Sequence, residues 1–206
     1  GRVEELRMQM RNDVGRVHLE SLLCTLGACA GYACQVSVRA RNRADGRPET
    51  SSLVAAEHAQ QCYYFGDAID GALLRESELS VLSIVASAVE LTFEYKVDEY
   101  DLAAVRARAD AVAGADRFGN FMERLGEGRK RLCGRPHDLP VNWLRHMWPL
   151  LFHRHVKPLC ARPSEWPITF ALAYVHVLKM LGKPPPVSGH AAYFLVAESA
   201  VPMSMV

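Results

Sequence analysis

What this chain lacks narrows its chemistry. It has no excess of charge: 24 Lys and Arg stand against 23 Asp and Glu, a formal net charge of +1. No global field therefore draws it to nucleic acid or to an acidic membrane surface. It has no nucleotide-phosphate loop; "GEGRKR" (126–131) carries glycines without the length or the Lys-Ser/Thr ending. There is no HExxH and no CxxC pair to seat a metal, and no GxSxG elbow to expose a nucleophilic serine. Internal repeats and low-complexity segments are absent too. The opening "GRVEELRMQMRNDVG" is charged throughout and has no apolar signal-peptide core. Six cysteines in 206 residues are too few for a disulfide scaffold. They read as reduced thiols of a cytosolic protein.

What is there fits one soluble domain with a real core, residues 15–206, preceded by a short helical arm, 1–14. In the arm, Val3, Leu6 and Met10 repeat at helical spacing. The stretch "HLESLLCTLGACAGYACQ" (18–35) is the most informative. Its uncharged run, Ser21 to Val38, would extend roughly 27 Å as a helix, close to the thickness of a bilayer's hydrocarbon core. Ser21, Thr25, Gln35 and Ser37, and the lack of a second span, favour a helix buried in a soluble core instead.

On a helical wheel the stretch separates into three faces. Leu19, Leu22, Leu23, Leu26, Ala30, Ala33 and Cys34 form an apolar face. Gly27 and Gly31, four apart with Cys24 beside them, would let another backbone come close. The third face carries His18, Ser21, Thr25, Tyr32 and Gln35, all uncharged hydrogen-bonding groups. Such a face can bond to neighbouring loops, line a polar pocket or meet a partner. Cys24, Cys29 and Cys34 recur every five residues, about 140° apart around a helix, so they fit neither a disulfide nor a metal site. They read as packing residues.

Beyond this helix, "RARNRADGRPET" (39–50) reads as a basic connector with a turn at Asp45-Gly46. "SSLVAAE" and "QCYYFGD" predict a small β-hairpin, although "HAQQ" between them is poor turn chemistry. "ESELSVLSIVASAVELTFEYK" predicts a helix with Ser77 as its N-cap, and "DEYDLAAVRARADAVAG" a helix capped by Asp98. Residues 115–140 read as an irregular connection whose basic cluster, Arg129, Lys130, Arg131 and Arg135, lacks interleaved aromatics. "LPVNWLRHMWPLLFHRHV" predicts a helix kinked or ended near Pro149. "PSEWPITFALAYVHVLKMLG" predicts a helix from a Ser164 cap to Gly182. A last helix, "HAAYFLVAESA", ends at Pro202.

Chemistry-bearing candidates are few. His146, His153 and His155 could serve a metal only if the fold overrides Pro149. His18 and Glu20 at a helix start, and Asp67 and Asp70 after the hairpin, could do acid–base work if brought together; helix capping and turn formation are the better account of them. Trp143, Trp148 and Trp166 read as core or as a pocket wall.

The segments "HLESLLCTLGACAGYACQ", "YYFGD", "DLPVNWLRHMWP", "PSEWPITF" and "ESAVPMS" resemble a family of small bacterial proteins with no assigned activity. The likeness runs from His18 to Ser204. It implies a single intact bacterial cytosolic domain and carries over no catalytic residue. This chain departs from the family's pattern in having "HAQQ" where an Asp-Gly turn is expected.

The expected architecture is mainly α: a bundle of about six or seven helices around the small-residue-rich helix, with a two-stranded hairpin. The leading functional expectation is a non-catalytic binding or protein-interaction module, pairing with itself as a homodimer or with another protein. No cofactor, metal, nucleic acid or membrane is expected. The first alternative is a small-molecule-binding protein or enzyme using His18, Ser21, Thr25, Tyr32 and Gln35, with Tyr64 and Asp67 nearby. The second is a metal-dependent hydrolase built on the late histidines.

Overall fold

A computed structural model describes residues 18–58, 60–74, 79–97, 101–113, 115, 118–122, 124 and 136–206. The N-terminal arm, the Ser77 and Asp98 caps and the basic cluster at 129–135 lie outside the described residues. The fold is mainly helical, with seven helices and one antiparallel hairpin among the described residues. In chain order these are α1 (Leu19–Ala44), β1 (Val54–His58), β2 (Gln61–Phe65), α2 (Asp67–Leu73), α3 (Val81–Phe93), α4 (Leu102–Ala111), α5 (Pro140–Leu151), α6 (Glu165–Lys179) and α7 (Gly189–Met203).

α1 is the axis of the molecule. By length and composition it could cross a membrane, yet 89% of its apolar window is buried inside the fold. It opens on His18, whose Nδ1 accepts from the Ser21 N–H at 3.3 Å. It runs on past Gln35 to Ala44, so the first half of the basic stretch expected as a connector is helix. The reason is local. Glu49 folds back to pair with Arg39 and Arg43, and buried Asn42 donates to the carbonyls of Glu49 and Ser51. These bonds hold the last turns, and Asp45-Gly46 then ends them, with Gly46 at φ +70°.

α7 packs along α1, and every α7 residue except His190 is buried. Gly27 and Gly31 make the close approach possible. A Cβ on Gly31 would lie 2.7 Å from the Ala200 carbonyl carbon, and one on Gly27 would lie 3.2 Å from the Val196 Cα. α6 closes another side, tied down by the Tyr174 hydroxyl, which donates to the Ala192 carbonyl at 2.6 Å.

Several helix ends differ from expectation. α3 starts at Val81, where the Ser80 hydroxyl accepts from the Ser83 N–H. α4 is capped by Asp101, which accepts from the Ala104 N–H at 2.8 Å. Ser164 occupies the N-cap of α6 but its side chain makes no capping bond, and that helix stops at Lys179, before Gly182. Pro202 lies inside α7 rather than beyond it. Pro149 does not end α5. It removes one backbone donor, and the chain continues as a π-helical turn over Phe152–Val156.

The hairpin forms despite its turn chemistry. Val54 pairs with Phe65, Ala56 with Tyr63 and His58 with Gln61. Gln60 supplies the left-handed backbone the turn needs, at φ +67°. Beyond β2, the Tyr64 N–H donates to the Met205 carbonyl at 2.7 Å.

Candidate functional site

The most site-like feature is a cleft between α4, residues 119–121 with Arg124, and the C-terminal half of α7, with a volume of about 230 Å³. Asp101 fixes the start of α4, on which Val105 and Ala109 are buried and Arg108 is part-exposed. Gly119, at φ +71°, turns the chain against Met203 and Pro202. Phe121 is then buried edge-on to Phe194, with ring centroids 5.6 Å apart. Val105, Ala109, Val112, Phe121 and Pro202 make the walls apolar.

Glu198, only 4% exposed, lines the cleft and is the one Asp, Glu, Lys or Arg of α7. A carboxylate buried there needs partners to offset its lost hydration. Arg124 supplies a fork: its two terminal nitrogens each donate to one Glu198 oxygen. Arg108 donates to the same carboxylate at 2.9 Å. Among the described residues, the charged groups lining the cleft are two guanidinium groups and one carboxylate. Arg108 is 44% exposed. Among the described residues one of its five N–H groups goes to Glu198, and the guanidinium is part-exposed at the cleft. Such an arrangement grips an anion whose body is apolar.

The residues expected to form a site on α1 do not come together. His18 and Tyr32 are fourteen residues apart, about 21 Å along the helix. Near the N-terminus, Ser21 accepts from the His137 N–H at 2.9 Å and pairs with His18 Nδ1 at 3.0 Å. Thr25 donates to the Ser21 carbonyl at 2.7 Å. His18 stacks on His137 with centroids 3.9 Å apart, and burial lowers its pKa, with Glu20 opposing and His137 reinforcing the shift. Gln35 is fully buried. Tyr64 lies beneath the Arg39 guanidinium at 4.8 Å, and Asp67 is exposed at the first turn of α2. Of the seven, Tyr32 lines a cavity: a second, more open one of about 300 Å³, shared with Gln61, Leu144, Arg145 and Trp148. The physical reason is that α1 is central, so each of its faces meets a different neighbour.

Asp70 pairs with Arg106, away from His18. His146 and His153 are exposed and His155 is half-buried. No group of three His, Cys, Asp or Glu side chains is placed to hold a metal among the described residues. Cys24, Cys29 and Cys34 are buried free thiols whose pKa values burial pushes far up, so they are not nucleophiles. Trp166 donates to the Cys160 carbonyl at 3.1 Å, and Trp148 stacks on Phe152 at 4.4 Å while lining the second cavity.

Sequence reasoning passed over the cleft. Its one signal was Glu198, the single charge in "HAAYFLVAESA". No family model matches this chain, and neither a curated protein nor a solved structure is detectably similar to it. The cleft is therefore read from its own residues.

Proposed function

We propose that this chain is a binding protein whose cleft holds a small organic monocarboxylate. The observation that carries this reading is the buried Glu198, clamped by Arg124 and Arg108 in the wall of an open apolar cleft. A carboxylate ligand would take the outward side of Arg108 in a fork, the geometry guanidinium groups favour. The volume is below that of most drug-sized sites, so the ligand's apolar part is short: a branched aliphatic chain or a single ring. A satisfied ion pair and greasy walls are recognition chemistry, which supports binding over catalysis.

A thermal-shift panel tests this. Short aliphatic and aromatic acids are each compared with their primary amides at neutral pH. A matching acid at about 100 times its dissociation constant is expected to stabilise the fold by about 2.7 kcal/mol, and its amide by far less. Arg108→Ala is expected to stay folded and to lose the response. Equal responses to acid and amide, or none across the panel, would refute a carboxylate site.

A further inference from the structure

β1 offers a surface the cleft does not use. All five of its residues, Val54 to His58, are exposed, Val54 at 67%. The direction of its backbone groups follows from β2. The Tyr64 N–H points away from β1, to Met205. Tyr64 and its partner Ala55 are therefore a non-hydrogen-bonded pair, and by the alternation of an antiparallel ladder so are Cys62 and Glu57. Ala55 and Glu57 must turn their N–H and C=O groups outward, and among the described residues none bonds to them. Edges are usually blunted by Pro, Lys or a bulge. "VAAEH" has none of these.

We propose that this edge pairs with the same edge of a second copy, making a continuous four-stranded antiparallel sheet across a two-fold axis at Ala56. Ala55 and Glu57 of each copy then exchange both backbone bonds with Glu57 and Ala55 of the other, and Ala56 faces Ala56 as a non-hydrogen-bonded pair. The register is self-complementary in charge. Glu57, the one acidic residue of the strand, meets Ala55, so like charges are never directly opposite. Exposed Val54 gains cover from the second copy's His58. A hairpin of two strands is marginal in water, and four strands are not. Because a five-residue ribbon buries less than a standard interface, the dimer dissociates on the order of micromolar.

Light scattering after size exclusion, on the full chain from about 1 to about 200 µM, is the first measurement. A monomer–dimer equilibrium is expected. Ala55→Pro deletes an outward N–H while leaving every β1–β2 bond in place. It is expected to keep the melting temperature of the dilute monomer and to raise the dimer dissociation constant at least tenfold. In a Cys62→Ser background, which removes an exposed thiol, Ala56→Cys is expected to cross-link on mild oxidation. Facing Cα atoms there are about 4.5 Å apart, within disulfide reach. Val54→Cys, opposite His58 in this register, is expected not to cross-link. A monomer at every concentration overturns the proposal, whether or not a foreign strand takes the edge. So does a dimer that survives Ala55→Pro with no Ala56→Cys cross-link.

Discussion

Gln35 sits in the middle of α1, fully buried, and among the described residues neither its side-chain oxygen nor its nitrogen has a hydrogen-bond partner. Each unpaired buried polar group costs about 1–3 kcal/mol. Methionine has nearly the same shape and neither group. Gln35→Met is therefore expected to raise stability by about 1–3 kcal/mol in urea unfolding. A loss of stability would mean that the amide has a partner in solution. His18 is the second residue with a readable consequence. Burial, reinforced by His137 and opposed by Glu20, depresses its folded pKa below the ordinary 6.5. The unfolded chain then binds the proton first. Stability from this site is full above the unfolded pKa and declines as pH falls through 6.5 toward the folded value. Asparagine also caps helices but does not titrate. A melting-temperature series from about pH 7.5 to pH 5.5 is expected to slope downward for the native chain and to flatten in His18→Asn. Parallel slopes would place the pH dependence elsewhere. Glu49 acts in a separate, more acid window: hydrogen bonds from Arg43 and Arg39 hold its pKa below 4.5.

At the scale of elements, the α1–α7 crossing is where a single methyl group matters most. Gly31 faces the Ala200 backbone, which cannot swing aside as a flexible side chain could. Gly31→Ala is expected to destabilise the fold by about 3 kcal/mol, the upper end for overpacking, despite alanine's better helix propensity. Chemical denaturation would show it; a neutral effect would mean that the helices do not cross this closely. This crossing was legible because glycines four apart in a helical run have a specific physical meaning. The hairpin was legible from its β-branched and aromatic residues. The end of α1 was not. Arginine-rich helix and basic loop share a composition, and Glu49, which decides between them, is ten residues from Arg39. The cleft was illegible for a similar reason. Arg108 and Glu198 are ninety residues apart, and Arg124 and Glu198 seventy-four. A lone carboxylate in an apolar helix says that a partner exists, but not which of the chain's arginines it is.

For the molecule as a whole, the fold concentrates its stability on one axis. α7 is buried almost end to end and α1 over most of Glu20–Val38, and they touch each other through glycine and alanine, so neither can leave without dismantling the core. β1 is the opposite case: no residue of it is buried, and its cohesion rests on the ladder to β2. Local opening free energies follow such differences in burial. Native-state hydrogen exchange on dilute protein is therefore expected to sort the amides into two groups. The mid-helix amides of α1 and α7, around Cys29 and Val196, should exchange only through global unfolding and should respond to urea with the full dependence of the whole chain. The ladder amides of β1, those of Val54, Ala56 and His58, should exchange through local fraying with little urea dependence. Raising the protein concentration should slow exchange at Ala55 and Glu57, whose N–H groups face outward, and leave α1 unchanged. Uniform protection throughout, with one common urea dependence, would instead mean that the hairpin unfolds only with the core, and its exposure would then be no guide to its stability.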